Sequence, residues 1–424
     1  MKLSRLILTA VLVGTSVTGT MLPSQVAAKT LEEKKKERPV EVMSERVGKK
    51  VAEAIDLLTA NEEEGREADP KGAIKLLEEI EPKKEFDKAY LAQLIGKLYA
   101  QEGEYKKAID KIKYAAELDV LSWDDQAGVL KVLAVLSLQE EQYQDAIDYY
   151  GKWFQFTEEH DPSIYTHLAL SYYQLKNYKK TVEQADLAIK YAKEPKADPY
   201  QLKMSAFVDT KNYKEAIKVC VAAIKHFPED KKWWVPLAQF YLMEEDYARA
   251  LSTFELSDKQ GFLTKPAHYT TLAQLYSMYG IPYKAATTMQ KHMNSGLIEK
   301  DAKNLSVAAN YFHQASEYKK AADTYLAAAK ISKDPEHYRK VGDLLAIAEE
   351  YKSAVNAYEK AIELGSQKEA NIKVALIEAH FYLGNYKKAY SYARESLKNK
   401  QYKRMAQGWI GYIRDTAQRK NVDI

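Results

Sequence analysis

The chain has 424 residues, 29% of them charged, with 63 Lys and Arg against 60 Asp and Glu for a formal charge of +3. Such a near balance argues against nucleic acid, which demands a basic face, and the single cysteine, Cys220, rules out an internal disulfide. Glycine (17) and proline (12) are sparse beside 32 tyrosines, as expected for helices joined by short turns.

At the start, Lys2 and Arg5 precede a short apolar run from Leu6 to Val13. Val26, Ala27 and Ala28 then supply the small side chains a signal peptidase reads, which predicts a signal peptide over 1–28 cleaved after Ala28. The apolar run is too short, and too rich in Thr, Ser and Gly, for a membrane span. No cysteine follows it, which argues against a lipid anchor, and no later segment approaches transmembrane length. Removing the two early cations leaves a charge near +1 on about 396 residues. Residues 29–40 (KTLEEKKKERPV) are dense in charge and nearly devoid of large apolar side chains, the composition of a flexible leader. Over 41–88 a degenerate first repeat is expected: Val51, Ile55 and Leu58 share one face of a helix. Asp69-Pro70 opens a second helix carrying Ala73, Ile74 and Leu77.

From 89 to 403 a tyrosine followed three residues later by a small residue recurs nine times. The pairs are Tyr105/Ala108, Tyr143/Ala146, Tyr178/Thr181, Tyr213/Ala216, Tyr247/Ala250, Tyr283/Ala286, Tyr318/Ala321, Tyr351/Ala354 and Tyr386/Ala389, at spacings of 33 to 38 residues. Nine before the tyrosine stands another small residue (Gly96, Ala134, Ala169, Ala238, Ala309, Gly342), and ten before it an aliphatic one (Ile95, Leu133, Leu168, Leu237, Val341, Leu376). Ten after it a small residue returns as Ala115, Ala188, Ala223, Ala328 and Ala361. Small side chains at these offsets let paired helices approach closely, so each tyrosine marks the start of the second helix of a pair. In the sixth repeat the pattern is displaced by one because the turn Gly280-Ile281-Pro282 is a residue longer. Over 404–424, Ala406, Trp409, Ile410 and Ile413 form one apolar stripe amid polar residues, suited to a helix that caps the stack.

On these residues the chain resembles the tetratricopeptide repeat family, well over 89–403 and weakly over 41–88. The resemblance implies an all-α right-handed superhelix, an α-solenoid of about ten helix-turn-helix repeats with a C-terminal capping helix. It also implies a protein or peptide ligand bound along the first helices. The lysine and asparagine set of chaperone-tail-binding members is absent, since Lys131 is followed one turn on by Val135.

No catalytic constellation is present: there is no phosphate loop, no His-Glu-x-x-His and no Gly-x-Ser-x-Gly. None of the eight histidines lie three or four apart to share a helical face for a metal, so neither a metal site nor a cofactor is expected. Cys220 stands seven after Tyr213, where other repeats carry Ile112, Tyr150, Phe254, Tyr325 and Tyr358, and reads as a small buried hydrophobe. Two surfaces are candidates for binding. One is the stripe four, eight and twelve residues before the tyrosine, with Gln93, Lys97, Gln101, Lys131, Gln139, Gln174, Gln239, Asn310 and Gln314. Its amides offer both donors and acceptors to a peptide backbone. The other is a lysine edge directly after the tyrosine (Lys106, Lys179, Lys214, Lys284, Lys319, Lys352, Lys387), which is either plain solvation or a face for an acidic partner.

The signal peptide, charged leader, repeats over the whole mature length and lack of an attached enzyme also resemble exported tetratricopeptide proteins associated with TonB–ExbB–ExbD energy-transducing systems. That resemblance implies a periplasmic, non-enzymatic scaffold in a Gram-negative bacterium, with envelope partners of the TonB/ExbB/ExbD kind and a role in uptake of iron complexes. The alternatives are a scaffold for outer-membrane protein assembly or polysaccharide export and, from another class, an α/α-toroid hydrolase or lyase.

Overall fold

The computed structural model describes residues 30–38, 41–59 and 67–424, so the expected signal peptide lies outside the described residues. Among them every regular element is an α-helix. The chain divides into two compact units, with the boundary between Asn177 and Tyr178.

The first unit contains α1 (Leu31–Glu37), α2 (Glu45–Leu57) and α3 (Pro70–Glu78). The pair α4 (Glu85–Gln101) and α5 (Tyr105–Leu118) follows, then α6 (Trp123–Gln139), α7 (Tyr143–Thr157) and α8 (Pro162–Gln174). The second unit opens with α9 (Tyr178–Tyr191). Its pairs are α10 (Ala197–Asp209) with α11 (Tyr213–His226), α12 (Lys231–Met243) with α13 (Tyr247–Lys259), and α14 (Pro266–Met278) with α15 (Pro282–Asn294). Then come α16 (Ala302–Gln314) with α17 (Tyr318–Ser332), α18 (Pro335–Ile347) with α19 (Tyr351–Glu363), and α20 (Glu369–Tyr382) with α21 (Tyr386–Ser396). The last helix is α22 (Lys403–Arg419).

Eight second helices begin on the recurring tyrosine, and α15 begins one residue earlier on Pro282. The small residues three and ten after it are fully buried, as are those nine before it. At Gly342 the reason is visible: a Cβ there would lie 2.5 Å from the Tyr358 ring.

From α4 onward every turn from first to second helix is closed in the same way. Two residues before the second helix the chain enters the left-handed region, and the next N–H bonds a carbonyl five residues back, as in Asp246 N–H to Tyr241 O (2.8 Å) and Glu350 N–H to Leu345 O (2.8 Å). This is the Schellman closure of a helix C-terminus. Glycine occupies that position only at Gly103, Gly280 and Gly384; elsewhere it is Glu141, Lys176, Lys211, Glu245, Ser316 or Glu349. A side chain there is strained by its Cβ. Glu349→Gly and Lys211→Gly are therefore each expected to stabilise the protein by about 0.5–1 kcal/mol, part of the relief being offset by glycine's greater unfolded entropy. A rise in urea midpoint at constant m-value is the signature.

The two ends differ from expectation in detail. In α2 the buried face is Val47, Val51 and Ala54, while Ile55 is 48% exposed, because the stripe runs i, i+4, i+7 and leaves Ile55 beyond its edge. Asp69 caps α3 by accepting from Gly72 N–H at 2.8 Å, with Pro70 at the first helical position. The segment expected to be a flexible leader forms α1, capped by Thr30, and its cations reach residues 81 to 124 positions away. Acidic and aromatic groups on distant turns receive those charges. At the other end α22 buries Ala406, Ile413 and Ala417, and Trp409 meets Phe381 edge-on at 5.4 Å.

Candidate interaction surface on the first helices

The second helix of a repeat determines much of what the first helix can offer. In the seventh position after the start of α7, α17 and α19 stand Tyr150, Tyr325 and Tyr358, each buried to the ring. Their hydroxyls emerge among first-helix side chains. Tyr150 OH lies 2.6 Å from His167 Nδ1, Tyr325 OH donates to Asn310 Oδ1 at 2.5 Å, and Tyr358 OH donates to Asp343 Oδ1 at 3.0 Å. Burial, reinforced by nearby carboxylates, pushes the Tyr150 and Tyr358 hydroxyls well above the ordinary phenol range, so they stay protonated donors. Sequence reading had not recognised these tyrosine anchors. A usable signal existed, since two of the three tyrosines coincide with Asn or Asp eight residues before the next periodic tyrosine upstream.

The predicted stripe splits by position. Twelve before the tyrosine, the side chains stitch one first helix to the next. Gln93 is buried with its amide nitrogen 3.4 Å from Asp125, and Ser306 meets His337 Nε2 at 2.9 Å. Lys131 donates to Asp161 at 2.6 Å and lies over the Trp153 ring. Burial alone would raise the Asp161 carboxyl, but Lys131 and Ser163 outweigh it and hold the group down at about 2. Gln93 and Lys131 thus take part in connections between successive first helices, Gln93 buried and the Lys131 side chain still 40% exposed. Arg339 similarly bridges Glu336 (3.1 Å) and Asp343 within α18, and Lys368 adds a 2.8 Å bond to Glu336.

Eight and four before the tyrosine the stripe is more open. Lys97, Gln101, Gln139, Gln174, Gln239, Asn310 and Gln314 are exposed, although Asn310 is engaged by Tyr325 and Gln314 accepts from Ser277 at 2.6 Å. Four before the tyrosine the character changes between units. The first unit presents Gln101, Gln139 and Gln174. The second keeps polar Asp209 and Gln314 there but also presents Met243 (62% exposed), Met278 (53%), Ile347 (54%) and Tyr382 (56%) at the equivalent helix end, with Tyr382 stacked on Tyr351 at 4.8 Å. Four first helices of this unit thus end in an exposed apolar side chain at the same repeat position.

The lysines of the predicted edge are all exposed. Lys284 pairs with Glu255 at 2.5 Å and lies over Tyr276, Lys319 pairs with Glu350, and Lys214 approaches Glu244 at 3.9 Å. These pairs link neighbouring repeats. Lys106, Lys179, Lys352 and Lys387 occupy the same position on their own helices.

Cys220 is fully buried against Met204, with sulfurs 3.4 Å apart, and burial pushes its thiol up to about 12. Such a thiol is inert at neutral pH. Among the described residues no group of three or more His, Cys, Asp or Glu is placed to hold a metal ion, and no helix is long and apolar enough to cross a membrane.

Helix pairs entered on a tyrosine, joined by a left-handed turn and stacked through alanines define a helical-repeat interaction scaffold. The family model of the tetratricopeptide repeat matches residues 204–261. None of the curated proteins compared matches the chain. Among solved structures, a tetratricopeptide repeat protein from Parabacteroides merdae is 15% identical, over 61% of this chain and 98% of that one, with a TM-score of 0.36. YrrB, described as a TPR protein with an unusual peptide-binding site, is 18% identical over 44% of this chain and 94% of its own, at 0.34. The Naa15/Naa10 assembly bound to HypK is 14% identical over 89% and 66%, at 0.43.

Proposed function

We propose that this protein is a non-enzymatic scaffold of the periplasm that binds a protein partner along its first helices and supports a TonB–ExbB–ExbD-type system for uptake of iron complexes. The observation that carries the binding mode is that Met243, Met278, Ile347 and Tyr382 are exposed at the same end of four first helices. Methionines adapt to varied apolar contacts, and aromatic anchors dominate interface energetics. Polar neighbours such as Gln239 and Gln314 suit the amides of a bound backbone. The uptake role rests on the resemblance in chain organisation, an expected export signal followed by repeats.

The test is site-specific photocrosslinking from Met278 and Tyr382 in intact cells, with identification of the captured protein. A TonB, ExbB or ExbD component, lost when Met278, Ile347 and Tyr382 are all changed to serine, is the expected result. The binding loss should be at least about 2 kcal/mol, the scale of interface hot spots. Recovery of barrel-assembly or polysaccharide-export components with no TonB component would overturn the uptake role while leaving the binding surface intact. N-terminal sequencing of the exported protein is expected to begin at Lys29.

A further inference from the structure

Residues 30–38 are held against the first unit by cations. α1 buries no side chain, yet Lys34 reaches Glu158 at 2.6 Å and the Lys35 ammonium lies 5.8 Å from the Trp123 ring centre. The principal anchor is Arg38, whose side chain is only 13% exposed. Its Nε donates to Leu121 O at 2.7 Å, and its Nη2 donates to Asp119 Oδ1 at 2.7 Å and to Asp119 O at 3.1 Å. The guanidinium lies 4.9 Å from the Phe156 ring, which is itself stacked on Trp123 at 4.3 Å.

This receiving surface has the chemistry of an arginine site. α5 ends at Leu118 and Asp119 turns left-handed, so the carbonyls offered to Arg38 lie at the negative end of the helix. A carboxylate stands beside them, and an aromatic plane gives the flat guanidinium a stacking partner. Lysine cannot use this arrangement, having neither the planar fork nor the stacking face. A helix of seven residues does not persist alone in water, so the order of residues 30–38 depends on these charged contacts. Further along, Ser44 is fixed by N–H and Oγ bonds to the buried Asp87, at 3.1 and 2.6 Å, which tethers the segment near its seat.

We propose that Asp119, Leu121, Trp123, Phe156 and Glu158 form a recognition site for a basic, arginine-bearing peptide segment, and that residues 30–38 are its ligand in cis. The segment is a strap that closes the site to such peptides until it is displaced. The site belongs to the first unit, and its occupant differs from the partner proposed for the first-helix row.

The experiment uses the full chain, with a fluorescein-labelled peptide of residues 30–44 as the probe. Arg38→Ala is expected to bind the peptide at least about tenfold more tightly than the unaltered protein does, because the cis ligand is released. A peptide carrying Arg38→Lys should bind Arg38→Ala protein at least about tenfold more weakly, by the loss of the bidentate stacked geometry. Tryptic cleavage within 30–38 should accelerate in Arg38→Ala, and added salt should do the same to the unaltered protein through screening. Asp119→Asn, which suits a left-handed turn, should abolish peptide capture by Arg38→Ala without loss of helicity. Equal peptide binding to both proteins, binding to neither, or cleavage of the strap at the same rate in both overturns the proposal.

Discussion

Trp233→Ala is expected to destabilise the second unit by about 3–5 kcal/mol, the usual range for emptying a large aromatic site. The indole is fully buried in the largest apolar cluster, among Tyr200 (6.4 Å, edge-on), Phe227 (6.5 Å, stacked), Leu237 and Ala216. Because each repeat is stabilised by its neighbours, a cavity here weakens the repeats on both sides. The informative control is Trp233→Phe. The indole N–H is buried with no hydrogen-bond partner among the described residues, so phenylalanine keeps most of the ring contact and removes an orphaned donor. It should cost less than about 1.5 kcal/mol. Urea unfolding of the two variants checks both values, and a phenylalanine variant as damaged as the alanine one would show that the N–H is satisfied after all.

Acidification is expected to destabilise the second unit below about pH 6.5, and His380→Phe should flatten that dependence. His380 is buried, stacked parallel on Tyr392 at 5.6 Å, with neither ring nitrogen partnered among the described residues. Burial lowers its pKa, the charge of Lys388 lowers it further, and Glu359 opposes them. His268 and His292 are lowered by burial in the same unit. The folded form of each therefore binds its proton later than the unfolded chain does. Above the unfolded value both states are neutral and pH has no effect. As pH falls below it, the unfolded state takes up protons first and stability drops, by up to about 1.4 kcal/mol per pH unit per histidine, until the folded pKa is reached. Phenylalanine preserves the stack and cannot titrate. Thermal or urea unfolding between about pH 7.5 and 5 reads the slope. An unchanged slope in the variant would mean that His380 is already solvated or paired.

The first expectation concerns Trp233, whose apolar neighbourhood is legible in the sequence but whose full burial, unlike that of the adjacent Trp234, is not. The second was less accessible. His380 stands two residues before the end of α20, and its ring is covered by Tyr392 of the paired helix. The binding stripe shows the same division. Spacing placed Gln93, Lys97, Gln101 and Lys131 on one side of their helices, but it could not separate those facing the next repeat from those facing solvent. The left-handed turns were legible only where glycine marks them.

By itself the sequence determined the repeat, its register and its packing positions, because helix pairing depends on side-chain volume at regular offsets and volume is written in each residue. The tertiary structure alone decided which stripe positions remain open, where the tyrosine hydroxyls emerge, and where the charged leader is seated. Those outcomes depend on groups from different repeats meeting in space. Arg38 is recognised by carbonyls 81 and 83 positions away, and no local pattern records that a helix end will stand there.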